Sequence, residues 1–200
     1  MDLNRLNRDL KDCERFDKDF PFKIYHTDEL NKFTARIRGP KNSIYEKGFF
    51  DLDIELTNDY PFSPPKVKFI TPVYHPNISS QTGAICLDLL STKWSPIITF
   101  RTLLLSIQTL LSAPEPNDPQ DAEVAKQFTT KYSEFRSTAE FWVSAYAPPL
   151  QEKDMEMLDE DWIKPYLDMG FDLNQIKSTL IKFNFNNDEV LESLLSSNTN

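Results

Sequence analysis

The pattern of apolar and polar residues predicts a helix first and then strands. An amphipathic helix is predicted over residues 2–16 because apolar residues recur at spacings of three and four: Leu3, Leu6, Leu10 and Cys13. Basic residues recur at similar spacing on another face of that helix: Arg5, Arg8, Lys11 and Arg15. This basic face is either a solvated surface or a docking surface for an acidic partner.

Short segments rich in β-branched and aromatic residues follow, and they are predicted as strands: 22–27, 32–39, 48–56 and 66–71. In the third segment apolar residues alternate with Asp51, Asp53 and Glu55, so one face of the strand is expected to be buried and the other wet. Turn residues separate the segments, and the short connections favour an antiparallel meander.

Residues 71–98 lack periodicity, and so long a stretch inside a domain is usually functional. Helices are then predicted over 100–113, 121–130 and 133–147, the last ended by Pro148 and Pro149. Three short helices are predicted near the end of the chain: 162–169, 173–183 and 187–196. The expected fold is therefore an α+β domain over 1–149, a linker or helical extension over 150–160, and a small three-helix bundle over 161–198.

The net charge of −9 is unevenly distributed, which also indicates two modules. Residues 1–150 carry 18 Lys and Arg against 20 Asp and Glu, whereas residues 151–200 carry 4 against 11. An acidic chain argues against general nucleic-acid binding. The polar first residues contain no apolar secretory core, and no apolar run approaches the ~20 residues of a membrane span. A cytosolic or nuclear protein with both cysteines reduced is expected.

Cys86 ends the aperiodic stretch and is the main candidate for chemistry. A lone cysteine is commonly a buried small hydrophobe, but a thiol also suits acyl transfer because it is a good nucleophile and a good leaving group. A cysteine protease would need a histidine base, and the positions of His26 and His75 do not indicate a dyad. The cysteines and histidines of this chain lack the close-paired spacing that is typical of zinc ligands, so no bound metal is expected.

Asn77 and Asp118 are the other candidate catalytic residues. The Asn77 amide suits an oxyanion donor that does not titrate, although asparagine after proline is also a common turn residue. Asp118 is either a cap for the helix from about 121 or a carboxylate that assists an incoming lysine amine, which attacks only when neutral.

The segment "YPFSPPKVKFITPVYHPNISSQTGAICLDLLSTKWSP" resembles the active-site region of a ubiquitin-conjugating enzyme. Its Tyr-Pro-Phe, His-Pro-Asn, Cys-Leu-Asp and Trp-Ser-Pro motifs occur together in the family's order, and the resemblance covers about residues 1–148. The "DMGF" and "VLESLL" motifs are similar to a ubiquitin-associated domain. The combination resembles the 25-kDa subclass of these enzymes.

The resemblance implies a mechanism. Cys86 would accept ubiquitin as a thioester from the activating enzyme, and a lysine amine on a substrate or on another ubiquitin would then attack the carbonyl. Asn77 would steady the oxyanion or hold the loop that shapes it, Asp118 would help neutralise the lysine, and His75 and Pro76 would be structural. No cofactor is expected to be bound, since ATP is consumed by the activating enzyme upstream. The subclass implies degradation-type chains.

The resemblance also implies partner surfaces. Ligases of the RING type and the activating enzyme would contact a surface made of Arg5, Arg8, Phe62, Pro96 and Ile97. Ubiquitin would be bound non-covalently by a second group, for which membership of the small bundle core is the alternative: Met169, Gly170, Phe171, Leu194 and Leu195. Two other functions stay open at this point, namely an inactive ubiquitin-binding adaptor and a carrier of a ubiquitin-like modifier.

Overall fold

An antiparallel sheet of four strands forms the centre of residues 1–148. The strands lie side by side in chain order: β1 (Phe22–His26), β2 (Lys32–Arg38), β3 (Phe49–Glu55) and β4 (Lys66–Phe69). The register places Leu52 of β3 opposite Ala35 of β2 and Phe69 of β4. The predicted meander is confirmed, and so is the alternation of buried apolar and half-exposed acidic residues along β3.

The structure, a computed structural model, describes residues 1–14, 22–158 and 160–197. It divides into two compact units, Met1–Pro148 and Pro149–Asn200, each of which is described by itself below. The last residues of the predicted N-terminal helix, including Arg15, lie outside the described residues. No helix in the described ranges is long and apolar enough to cross a membrane.

The first unit contains four of the described α-helices: α1 (Leu3–Glu14), α2 (Phe100–Ser112), α3 (Ala122–Thr130) and α4 (Tyr132–Tyr146). Side chains cap three of them, since Thr99 accepts a hydrogen bond from the Thr102 amide, Asp121 accepts one from the Val124 amide, and Asp2 accepts from the second and third amides of α1. Between β4 and α2 the one helical element described is a short 3-10 helix, Asp88–Leu90, as the lack of periodicity in 71–98 predicted.

The core of the first unit lies between the sheet and the helices. Among the fully buried sheet residues are Phe33, Ala35, Ile37, Leu52 and Ile54. They share one cluster with the apolar stripe of α2, which consists of Phe100, Leu103, Leu104, Ile107 and Leu111. Full burial of a Leu, Ile or Phe side chain contributes about 1.5–3 kcal/mol, so this interface fixes the end of α2 that carries the following loop.

The second unit is a small helical bundle. Its helices are α5 (Lys164–Asp168), α6 (Leu173–Phe183) and α7 (Asn187–Ser197), and Asp172 caps α6 as the sequence predicted. The bundle core contains Tyr166, Phe171, Ile176, Leu180, Phe185, Val190 and Leu194. A three-helix bundle after the α+β unit is therefore confirmed.

A linker or helical extension was expected over residues 150–160, and the described part of this range, 150–158 and 160, belongs to the second unit. Two 3-10 helices, Glu152–Met157 and Glu160–Trp162, lie in this part of the chain. Leu150 and Met155 are buried, and the Leu150 amide donates to Asn184 Oδ1 at 2.8 Å. The sequence did not predict this packing, because the buried apolar residues are few in an acidic segment and are too widely spaced to give a helical period.

Candidate active site

Asn77 and Cys86 are brought together by a hairpin-like turn. The Cys86 amide donates to Asn77 O at 2.9 Å, and the Ser79 amide donates to Ala84 O at 2.8 Å. Ile78 and Ile85 form an antiparallel bridge between these two pairs. The nine positions that separate Asn77 from Cys86 in sequence therefore fold back, and the two residues become neighbours at the open end of the hairpin.

Gly83 anchors the hairpin to the edge of the sheet. Its φ of +74° lies in the left-handed region, and an added Cβ would lie 2.0 Å from Phe69 O. The close approach allows the Phe69 amide to donate to Gly83 O at 2.9 Å. A residue with a side chain cannot occupy this position without moving the strand away from the hairpin.

The Asn77 side chain is buried and holds the loop between α2 and α3. Its Nδ2 donates to Glu115 O at 2.8 Å and to Asp118 O at 2.9 Å, and its Oδ1 accepts from the Glu115 amide at 2.8 Å. Both amide protons are therefore engaged by the loop. Of the two roles expected for Asn77, this geometry favours holding the loop over donating to an oxyanion.

His75 and Pro76 complete the attachment of this loop. His75 Nδ1 accepts from the Asn77 amide, so the neutral ring carries its proton on Nε2 and donates to Leu110 O at 3.0 Å. Burial lowers the pKa of His75 to about 4, against a weaker opposing effect of the Leu110 carbonyl. Pro76 O accepts from the Gln120 and Asp121 amides, each at 2.9 Å. His75 is thus a neutral structural residue, which does not fit the base of a cysteine protease.

Cys86 and Asp118 face each other across the site. The thiol is half-buried, and its Sγ donates to Asp118 Oδ2 at 3.6 Å. Burial raises the pKa of the Cys86 thiol, and the negative charge and hydrogen bond of Asp118 and the charge of Asp88 raise it further. The resting thiol is therefore protonated, and the nearest charged group described beside it is a carboxylate. The described part of the chain contains no cluster of potential ligands that could hold a metal ion.

The residues expected to contact ligases differ in their exposure to solvent. Phe62 and Ile97 are 80% and 82% exposed, and Arg8 and Pro96 are exposed as well. Arg5 is instead almost buried, because its guanidinium donates to Asp9 Oδ2 at 2.7 Å, to Ile98 O at 2.7 Å and to Pro96 O. Arg5 therefore braces α1 against the 96–98 loop.

A buried network that the sequence did not indicate extends this brace. The Tyr60 hydroxyl also donates to Asp9 Oδ2, and Trp94 Nε1 donates to Pro61 O at 2.9 Å. The loops that carry Phe62 and Ile97 are consequently tied to α1 and to each other. A cue was available only in the acidic residue four positions after Arg5, which is a common helical ion-pair spacing.

The residues predicted to bind ubiquitin in the second unit divide into two groups. Met169 and Leu195 are 59% and 55% exposed, and a Cβ at Gly170 would meet nothing within 4 Å. Phe171 and Leu194 are instead buried, so for these two the alternative of a core position is the observed one. Leu167 and Leu173, which were not singled out, are exposed apolar residues near Met169 in sequence.

The α+β fold carries a half-buried cysteine on a hairpin that is held by a His-Pro-Asn turn. These features are those of an acyl-transfer protein that uses a thiol. The family profile described as "Ubiquitin-conjugating enzyme" matches residues 5–143. The chain belongs to the ubiquitin-conjugating enzyme family and is an enzyme of the ubiquitin pathway.

Relatives align along nearly the whole chain. The chain is 43% identical to "Ubiquitin-conjugating enzyme E2 27" of Arabidopsis thaliana, over 98% of this chain and 99% of that protein. It is 39% identical to "Ubiquitin-conjugating enzyme E2 K" of Homo sapiens, with 97% of each chain covered. A solved E2 domain from Toxoplasma gondii is 44% identical with a TM-score of 0.69, covering 74% of this chain and all of that one.

The buried environment of His75 gives a testable prediction. Its imidazole resonances should keep the neutral form as the pH falls to about 5, since its pKa is lowered to about 4. A depressed histidine pKa means that stability falls as pH drops from about 6.5 towards about 4, where the unfolded chain binds a proton and the folded chain does not. An NMR titration of His26→Gln, which leaves a single histidine, measures this directly. A midpoint near the ordinary histidine value would contradict the assignment.

Proposed function

We propose that Cys86 carries ubiquitin as a thioester and transfers it to a lysine amine. The observation that supports this most strongly is the contact of Cys86 Sγ with Asp118 Oδ2 at 3.6 Å, on a loop that Asn77 holds by three hydrogen bonds. Cys13, the other cysteine, is on α1 and packs against the hydrophobic core. Cys86 combines partial exposure with a neighbouring group suited to proton transfer, the Asp118 carboxylate.

Two acyl transfers make up the proposed reaction. In the first, Cys86 Sγ forms a bond to the C-terminal carbonyl carbon of ubiquitin, and the activating enzyme's thiol leaves with the proton lost by Cys86. In the second, a neutral lysine nitrogen attacks the same carbon, the amide bond forms and Cys86 leaves as a thiolate. The lysine proton passes to Asp118 or water and then to the thiolate, whose raised pKa favours recapture.

The two acyl transfers need no histidine base. The thioester already contains the energy for amide formation, so the protein has to position the amine and accept its proton. Asp118 is exposed and therefore accessible to an incoming lysine, and its carboxylate is within reach of the thioester sulfur. Asn77 acts through Asp118 as a positioning residue.

The second unit is proposed to be a ubiquitin-associated domain that binds ubiquitin non-covalently. The support is an exposed apolar group on a small bundle: Leu167, Met169, Leu173 and Leu195. So few exposed apolar side chains suit weak binding of about 5.5 kcal/mol, a dissociation constant near 0.1 mM. Its use would lie in raising the effective concentration of an acceptor ubiquitin for chain building. Degradation-type chains are the linkage that the subclass implies.

Ligases of the RING type are the proposed partners of the exposed Phe62 and Ile97. These are the two most exposed apolar residues of their loops, and exposed large apolar side chains commonly act as anchors in an interface. Arg8 supplies an exposed positive charge on α1. The braces of Arg5 and Trp94 keep these loops in one arrangement before a partner binds.

Substitution of the cysteines tests the carrier directly. Incubation with activating enzyme, ATP and ubiquitin should give an adduct that a thiol reductant removes. Cys86→Ser should give a reductant-resistant ester or no adduct, because an oxygen ester resists thiols. Cys13→Ser is the matched control and should behave as wild type on a non-reducing gel. A reducible adduct that persists in Cys86→Ala would contradict the assignment.

Neutralising Asp118 should have opposite effects on two reactions. Asp118→Asn removes a charge that raises the pKa of Cys86, so alkylation of the free thiol by iodoacetamide should be faster at neutral pH. Discharge of the thioester to free lysine should be slower, about tenfold or more, and should need a higher pH because the amine loses its proton acceptor. The matched control is Asp88→Asn, whose charge acts more weakly on the thiol. Unchanged discharge across the pH range would remove Asp118 from the mechanism.

Ubiquitin binding by the second unit is tested with full-length protein. Titration of ubiquitin should shift NMR signals around Met169 and α7, and Leu195→Ser should weaken binding at least about fivefold by removing buried apolar area. Leu30→Ser is the control, since Leu30 is an exposed leucine of the first unit. A chain ending at Pro148 keeps both cysteines and should still form the thioester. Absence of shifts with the bundle folded would contradict the binding role.

A further inference from the structure

A side-chain hydrogen bond that the proposed reaction does not use joins the Asn77–Cys86 hairpin to the start of α3. Ser80 lies in the hairpin between Asn77 and Gly83, and its Oγ donates to Asp121 Oδ2 at 2.6 Å. The Ser80 amide also points to Asp121 Oδ2, at 3.4 Å. We name this pair, Ser80 with Asp121, the hairpin clamp.

Asp121 has a second and separate task. Its Oδ1 accepts from the Val124 amide at 3.2 Å and so caps the N-terminus of α3. Serine is as good an N-cap as aspartate, so capping alone does not require the carboxylate. The second oxygen is the one that reaches the hairpin, and hydrogen bonds from a hydroxyl to a carboxylate are short and strong.

The clamp removes a freedom that the other attachments leave. Apart from the Cys86–Asp118 contact itself, the other bonds described between the hairpin and the loop before α3 come from Pro76 O and from the Asn77 side chain, which are adjacent in the chain. Gly83 holds the hairpin to the sheet, so attachments at two adjacent residues leave the loop before α3 able to pivot against the hairpin. Ser80 adds an attachment three residues farther along and fixes that angle. Asp118 lies three residues before Asp121, so a pivot would change the 3.6 Å separation of Asp118 from Cys86 Sγ.

We propose that Ser80 and Asp121 are positioning residues for transfer of ubiquitin from Cys86 to an amine. This inference rests on the proposed function, because it needs the thioester to be on Cys86. Neither residue touches the reacting atoms, and both act by setting where Asp118 stands relative to the sulfur. A displacement of about 1 Å in a reacting group can cost up to about a hundredfold in rate, so a loosened hairpin should slow transfer measurably.

The test measures single-turnover discharge of pre-charged enzyme to free lysine over a range of pH. Ser80→Ala removes the donor, and Asp121→Ser keeps the helix cap but is too short to reach the hairpin. Each should discharge about tenfold more slowly, and the pH of half-maximal rate should rise as it does when Asp118 loses its role. The double variant should be no slower than the slower single variant, because both changes remove one interaction. Ser80→Thr retains the hydroxyl and should restore the rate.

Matched controls separate positioning from general loss of structure. Ser106→Ala removes a hydroxyl whose bond to Thr102 O at 2.8 Å lies within α2, and Asp172→Ser changes the cap of α6 in the second unit. Both should discharge at the wild-type rate with the wild-type pH profile. If Asp121→Ser does not fold, Ser80→Ala carries the test alone, since Ser80 is half-exposed and loses one oxygen.

Four outcomes would overturn the inference. Wild-type discharge rates in Ser80→Ala and Asp121→Ser would show that the clamp does not position the site. Losses that multiply in the double variant would mean independent effects, and a slower rate without a shift in pH profile would mean a structural role only. Absence of any reducible adduct on Cys86 in the wild-type protein would overturn the proposed function as well, and it is scored before discharge is measured.

Discussion

Three hydrogen bonds of the Asn77 carboxamide hold the active site together. They connect the hairpin that ends at Cys86 with the loop that carries Asp118, two segments more than thirty residues apart in the chain. The amide is suited to this because it donates twice and accepts once without titrating. A buried group with every hydrogen bond made is costly to remove, since each lost partner leaves a polar backbone atom unsatisfied. The distance between the thiol and the carboxylate therefore depends strongly on this side chain.

The chemistry of the site follows from the carboxylate beside the thiol and from the engagement of His75 elsewhere. Cys86 has a carboxylate beside it and a raised pKa, so a thiolate released at this site is readily protonated again. His75 is close in sequence, yet its two ring nitrogens are bonded to Asn77 and Leu110. A site of this kind suits the passing on of an acyl group that is already activated, which is the general activity of the family to which the chain belongs.

The sequence predicted the regular elements because their periods are local. The alternation in β3 and the apolar stripe of α2 can each be recognised from residues close together in the sequence, and the structure shows both as expected. Cys86, Asn77 and Asp118 were selected for their chemistry, and the resemblance then implied a role for each, but the hydrogen bonds that bring them together join residues about forty positions apart, which no local pattern encodes. Arg5 was expected on an outward basic face and is nearly buried, because Asp9 and two distant carbonyls bind it. Phe171 and Leu194 are buried because a very small bundle needs its apolar residues for a core.

Amide hydrogen exchange at Glu115 tests the central claim most directly, because the Glu115 N–H donates to Asn77 Oδ1 at 2.8 Å. In the wild-type protein this amide should be protected, and in Asn77→Ala the protection should fall to that of the exposed loop while the amides of β3 keep theirs. The same variant should discharge its thioester up to about a hundredfold more slowly, because Asp118 would no longer be held in place beside the sulfur. Slow discharge with undiminished protection of Glu115 would contradict the account, since Asn77 would then serve the reacting oxyanion rather than the loop.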